Sequence, residues 1–210
     1  MKRADIISKT MNEMFPHAKV ELNYANTFEL LVAVVLSAQT TDVSVNKVTP
    51  ALFHAYPTPQ TLKNAPLPMI ENIIRSIGLY RNKAKNIKEL ARVIDEDYQG
   101  IIPSDRASLE SLPGVGRKTT NVVLSNAFHI PAFAVDTHVA RISVRLGLAK
   151  KGDSVLDIEK KLMKTFPETE WLRLHHQMIF FGRYHCLAKQ PKCYQCPLFD
   201  ICTSEDKIIP

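Results

Sequence analysis

The first 185 residues contain no cysteine, and all four cysteines fall between Cys186 and Cys202. A disulfide framework spreads its cysteines through a small secreted chain, so that class is excluded. Glycine is scarce, 7 of 210 residues without a period, which excludes collagen-like and low-complexity classes. Long hydrophobic runs are missing as well. The most apolar stretch, Phe28 to Leu36, is nine residues long and carries Glu29, against roughly 20 for a membrane span. The N-terminal MKRADIISKTMNEMF is basic but lacks the apolar stretch of a secretory signal. The expected location is therefore the reducing cytoplasm, with no membrane contact. What is present is a globular composition: 45% hydrophobic and 23% charged residues, which excludes disorder. The length allows one large domain or two small ones.

The apolar pattern is helical nearly throughout, and no stretch alternates with period two for long. Thr27 can cap a helix over Phe28 to Leu36 that is apolar all round and hence central. Pro68 suits a first helical turn, followed by a stripe of Met69, Ile70, Ile73, Ile74 and Ile77. Ala84, Ile87, Leu90, Ala91 and Ile94 form a second stripe, and Val139, Ile142 and Leu146 a third that stops near Gly147. Ser154 with Asp157 reads as a capping box for a helix that Pro167 ends. The fold class is all-α. Composition shifts after about residue 132 toward aromatics, histidines and then cysteines, with no flexible linker, so two closely packed lobes are expected.

The net charge of +6 is weak evidence for a polyanion partner; local patches say more. Residues 72–92 hold six Lys/Arg and one acid, and residues 112–150 hold five and one. Within the second lies Leu112-Pro-Gly-Val-Gly-Arg-Lys-Thr119. An apolar helix carrying Leu109 and Leu112 ends in a tight turn, where Gly114 and Gly116 permit positive φ and close backbone approach. A new helix starts near Arg117. Unpaired N–H groups at such a start make an anion site, able to grip a nucleic-acid backbone without reading sequence. The spacing is wrong for a nucleotide P-loop, and no strand precedes it.

Lys118 is a candidate nucleophile or a phosphate-binding lysine. A lysine amine attacks carbon only when neutral, and a helix N-terminus, a cationic neighbour such as Arg117 and desolvation all disfavour the ammonium. Asp136 follows the short extended run Phe133 to Val135 and precedes a helix near Thr137; it is an N-cap, a candidate carboxylate for chemistry, or both. The cysteines read Cys186-x6-Cys193-x2-Cys196-x5-Cys202. Four thiolates so close suit zinc or a [4Fe–4S] cube; only one C-x2-C pair exists, and the spacing departs from the ferredoxin run.

Taken with Leu36-Ser-Ala-Gln-Thr-Thr-Asp42, Ile77-Gly-Leu-Tyr80 and Ala134-Val-Asp-Thr-His138, these segments are similar to those of the endonuclease III family. That family is the iron–sulfur type of helix-hairpin-helix DNA glycosylase and AP lyase, and the resemblance covers nearly the whole chain. It implies a two-lobed helix-hairpin-helix glycosylase fold: a lobe over 21–131 with the hairpin at about 105–125, and a discontinuous lobe of 1–20 plus 132–210 with a [4Fe–4S] cluster loop at 186–202. It implies removal of oxidised pyrimidines from duplex DNA in base-excision repair, by a monomer working on the nucleoid if the source is bacterial. Lys118 then matches the lysine that attacks C1′, expels the base and forms a Schiff base, with β-elimination breaking the strand. Asp136 matches the catalytic aspartate, and Cys186, Cys193, Cys196 and Cys202 the cluster ligands. Gln39 is implied to fill the hole left by the extruded nucleotide and Leu79 to wedge the other strand, offsetting the cost of base flipping. Gly114, Gly116, Arg117 and His138 are implied DNA contacts, as are Lys189 and Lys192 on the basic loop that the cluster shapes.

Two other readings use the same features. An adenine mismatch glycosylase resembles this fold but typically lacks a lysine at 118 and has a further C-terminal domain; Lys118 and the end at Pro210 argue against it. A non-catalytic iron–sulfur DNA-binding protein would use the hairpin and cluster but not Lys118.

Overall fold

The computed structural model describes residues 2–208. Among them there is no strand, and the chain divides into two compact units, residues 1–20 with 131–210, and residues 21–130. The all-α expectation holds.

In the first unit, α1 (Arg3–Met14) packs against a helix near the other end of the chain. The second unit follows with α2 (Thr27–Leu36), α3 (Asp42–Ala55), α4 (Pro59–Asn64), α5 (Leu67–Ile73), α6 (Tyr80–Asp97), α7 (Arg106–Ser111) and α8 (Arg117–Ala127). The chain then returns to the first unit with α9 (Thr137–Arg145), α10 (Val155–Thr165) and α11 (Trp171–Phe180). A single π-turn over Phe181–His185 follows α11 and leads into the cysteine segment.

Helix α2 is buried on all sides from Leu30 to Leu36, as an all-apolar sequence must be, and α8 packs against it. Its cap is Asn26, not Thr27: Asn26 Oδ1 accepts the Glu29 N–H at 3.0 Å. Both residues can cap, and only backbone geometry decides between neighbours. Helix α6 turns Ala84, Ile87, Leu90, Ala91 and Ile94 inward against α4 and α5. The stripe after Pro68 is less regular: α5 stops at Ile73 and Met69 is exposed.

The first unit is built on one apolar cluster. Ile7 and Met11 of α1 meet Val139 and Ile142 of α9, Ile158 and Leu162 of α10, and Leu174 and Met178 of α11. Trp171 belongs to this core and donates Nε1–H to Phe166 O at 2.9 Å. Ser154 and Asp157 form the expected capping box, and α10 ends before Pro167.

Candidate functional site

The second unit carries the hairpin. Asp105 caps α7, Leu112 ends it, and Val115 N–H closes the turn onto Leu112 O at 3.0 Å. Gly114 has φ +77°, and a Cβ there would stand 3.2 Å from Asn86 Cβ and 3.3 Å from Val35 Cγ1. Only glycine meets both demands. Gly116 differs from the expectation: its φ is −109°, so the turn needs no left-handed residue there. A Cβ on Gly116 would meet nothing within 4 Å. The missing side chain there leaves open space in front of a helix start. Gly116 is the N-cap of α8 and offers no side chain to the first-turn N–H groups, which leaves them available to an outside anion.

Arg117 and Lys118 occupy the first two positions of α8, and both are exposed. Arg117 Nη1 lies 3.9 Å from Glu110 Oε1, which Arg106 also holds at 3.0 Å. Lys118 sits at the positive end of the helix dipole beside a guanidinium. Burial does not reach it, so the desolvation expected around its amine has to come from a bound partner.

Two other segments of this unit carry candidate residues in the left-handed region. Gln39 has φ 53° in the turn after α2, and Leu79 has φ 58° as the residue before α6. Both side chains are exposed, Leu79 at 60%. An N-cap normally has extended backbone, so Leu79 is unusual. Gln99 and His129 are also left-handed, but each follows a helix, where a C-terminal cap explains it.

In the first unit Asp136 caps α9, with Oδ1 accepting the Val139 N–H at 2.8 Å. It is half-buried. The run before it is extended, with Phe133, Ala134 and Val135 buried. His175 Nδ1 is 2.8 Å from Ala134 O, so Nδ1 carries the proton, since a carbonyl only accepts. His138, half-buried on α9, has its imidazolium form disfavoured by burial, against the pull of Asp136. Gly182 of the π-turn allows close approach here: a Cβ would be 3.0 Å from His138 Cβ and 3.1 Å from Arg141 Nη2.

Cys186, Cys193, Cys196 and Cys202 are all free thiols and line one pocket with Arg145, Phe181 and His185. Burial pushes the Cys196 thiol up to about 11, and charge on the other three cysteines adds to the rise. Burial likewise raises Cys186, although Arg145 opposes it by donating to Cys186 Sγ at 3.3 Å. Thiols so placed call for a metal to hold the thiolate form. A structural zinc gathers four sulfurs to about 2.3 Å from one ion. An iron–sulfur cube takes one thiolate at each of its irons, so it needs sulfurs distributed around a pocket. His185 Nε2, buried and without a hydrogen-bond partner, belongs to a residue lining the same pocket. The four thiols and the pocket that they line can hold a metal centre.

Charge counting missed what several basic residues do. Arg145 is 8% exposed and donates to Leu187 O at 2.6 Å and Ala188 O at 3.1 Å. Arg141 Nη2 donates to Gly182 O at 2.8 Å and Cys186 O at 3.1 Å. Both arginines brace the cysteine segment and are not a polyanion surface. Their spacing of four along α9 was the available signal. Likewise Arg92 pairs with Glu89 and Glu96, Lys88 donates to Ala65 O and Lys83 is buried. Lys189 and Lys192, by contrast, are exposed on the cysteine loop.

Residues 32–168 match the model of the HhH-GPD superfamily of base excision DNA repair proteins. The chain is 53% identical to the endonuclease III of Bacillus subtilis (strain 168) over 207 residues, 99% of this chain and 94% of that one. It is 44% identical to the endonuclease III of Escherichia coli (strain K12), over 99% of this chain and 97% of the relative. A solved structure described as a trapped endonuclease III–DNA covalent intermediate superposes with TM-score 0.93 at 55% identity, covering 97% of this chain and 96% of that one.

Proposed function

This chain belongs to the HhH-GPD superfamily of base excision DNA repair proteins, within its endonuclease III family, and we propose that it removes oxidised pyrimidines from duplex DNA and cleaves the resulting abasic site. The activity of the family is that of a DNA glycosylase and AP lyase, and duplex DNA is the partner. The observation that carries the residue assignment is Lys118 at the start of α8, exposed, behind a glycine cap that leaves open space.

In this reading the first-turn N–H groups of α8 and the Gly114–Gly116 turn hold a DNA phosphate, with Arg117 adding charge. DNA docked on the turn excludes water from Lys118, which lowers the cost of losing its proton. The Lys118 amine attacks C1′ of the damaged nucleotide, the C1′–N bond breaks, and the base leaves with the bonding pair. The attacking nitrogen gives up one proton, which neutralises the departing base; its lone pair then breaks the C1′–O4′ bond, O4′ takes up a proton, and the protonated Schiff base results. Removal of a C2′ proton then expels the 3′ phosphate by β-elimination. Asp136, held by its cap bond, stabilises positive charge developing on the sugar and assists the proton transfers. His138, two residues after Asp136 in the first turn of α9, is a further contact to the DNA. Gln39 and Leu79 occupy the space opened by the extruded nucleotide.

Cys186, Cys193, Cys196 and Cys202 would hold a [4Fe–4S] cluster. When bound, the cluster supplies cross-links that fix the segment between its ligands. That segment presents Lys189 and Lys192 to phosphate. Arg141 and Arg145 brace it through its carbonyls. The protein acts as a monomer alongside the genomic DNA in the cytoplasm. None of its helices among the described residues is long and apolar enough to cross a membrane.

Incision of a duplex carrying one thymine glycol tests the reading. The protein should nick that strand and leave a lesion-free duplex intact, and Lys118→Gln should bind the lesion duplex without nicking it. Undiminished nicking by Lys118→Gln removes Lys118 as the nucleophile. Base loss without a nick by the unaltered protein indicates a monofunctional glycosylase.

A further inference from the structure

Lys83 is 5% exposed, yet no carboxylate pairs with it among the described residues. Its ammonium has one hydrogen-bond partner, Thr40 Oγ1 at 2.5 Å. A buried cation without a counter-charge is unfavourable, and an aliphatic side chain would fill the same place at lower cost. Burial alone disfavours its charged form. The position of the residue gives the amine a purpose. Thr40 directly follows Gln39, and the backbone N–H of Lys83 donates to Leu79 O at 3.0 Å. One residue therefore grips both left-handed positions, Leu79 through its main chain and the Gln39 turn through its side chain. The Gly78 turn also faces Thr40: a Cβ on Gly78 would lie 4.0 Å from Thr40 Oγ1. Left-handed backbone at a non-glycine residue is held only where its surroundings over-determine it.

We propose that Lys83 is a positioning residue, clipped to Thr40 so that the Gln39 turn and the Leu79 turn are held as one unit for insertion into the duplex. The proposal rests on the reading that Gln39 and Leu79 enter the DNA. It assigns the clip no contact with the reacting atoms. It acts on the unstacking step alone, before Lys118 attacks.

The test uses a duplex with a tetrahydrofuran abasic analogue and 2-aminopurine opposite it, whose fluorescence rises when that base unstacks. The holoprotein is compared with Lys83→Met, Thr40→Val, Thr40→Ser and the double variant Lys83→Met/Thr40→Val. Losing a hydrogen bond to a charged group should lower the unstacking equilibrium about tenfold in Lys83→Met and Thr40→Val. Thr40→Ser keeps the hydroxyl and should behave as the unaltered protein, which a packing role of Thr40 would not predict. The double variant should be no worse than either single one, because both remove the same bond. Affinity for lesion-free duplex should change less than about twofold, since phosphate contacts set it. Leu79→Ala and Gln39→Ala separate the two possible failures. If these lower the signal and Lys83→Met and Thr40→Val do not, the clip is wrong and the insertion reading stands. If Leu79→Ala and Gln39→Ala leave the signal unchanged, the insertion reading falls and the clip with it. Additive losses in the double variant also overturn the clip.

Discussion

Asp136 is a helix cap by geometry and a reacting carboxylate by proposal, and two substitutions separate the roles. Asp136→Ala removes the acceptor of the Val139 N–H, a 2.8 Å bond at a half-buried site. Loss of an N-cap of this kind costs about 1 kcal/mol, within a range of roughly 0.5–2. Val139 itself is fully buried, so its orphaned N–H is poorly served by water and the cost falls in the upper half of that range. For a chain of this length each 1 kcal/mol lowers Tm by about 2–4 °C, so Asp136→Ala should melt roughly 3–7 °C early. Asp136→Asn keeps an oxygen for the cap and gives up only the charge at the helix start, about 0.3–1 kcal/mol. Its melting point should fall by about 1–3 °C. Activity should not follow this order. Both variants lose the carboxylate, and the single-turnover rate of base release should fall about a hundredfold or more in each. Thermal melts of the holoprotein and single-turnover kinetics on a thymine glycol duplex give both quantities. If Asp136→Asn retains most of the rate while Asp136→Ala loses it in step with stability, Asp136 only caps α9 and the chemical assignment is refuted.

Cys196→Ala should abolish visible absorbance and the stoichiometric iron and inorganic sulfide of the purified protein; zinc without sulfide in the unaltered protein would contradict the cluster. His138, held neutral by burial, takes up a proton more readily unfolded than folded, so its contribution is present above pH ~6.5 and is lost as pH falls below that. Stability to denaturant should therefore decline as pH falls through and below about 6.5, less so in His138→Gln; an identical slope in both would reject the assignment. Binding to lesion-free duplex should fall steeply on a logarithmic salt scale, and Lys189→Gln should reduce that slope by about one unit; a flat dependence would refute phosphate docking.

Local signals were legible in the sequence. Leu112-Pro-Gly-Val-Gly marks a helix end, a turn and a helix start because each residue acts on its own backbone, and the chain follows it from α7 to α8. The Ser154 and Asp157 box was readable for the same reason. What stayed hidden depends on partners far along the chain. Arg145 reads as surface charge until Leu187 O and Ala188 O, 42 and 43 residues later, close around it. Lys83 precedes Ile87 by four and shares its inward face on α6, but nothing near it in sequence announces Thr40. The left-handed backbone at Gln39 and Leu79 is equally silent, because neither residue type asks for it. Gly116 shows the converse. Its glycine suggests positive φ, while the fold uses it as an extended cap with open space in front.

Glycosylase and lyase steps both require the Lys118 amine to become covalently bound to the sugar. Incubating the protein with a thymine glycol duplex in borohydride, then digesting it and mapping the adduct by mass spectrometry, tests it most directly. A reduced secondary amine should join the DNA to Lys118 and be absent in Lys118→Gln. An adduct at another lysine, or strand cleavage with no adduct, would contradict it.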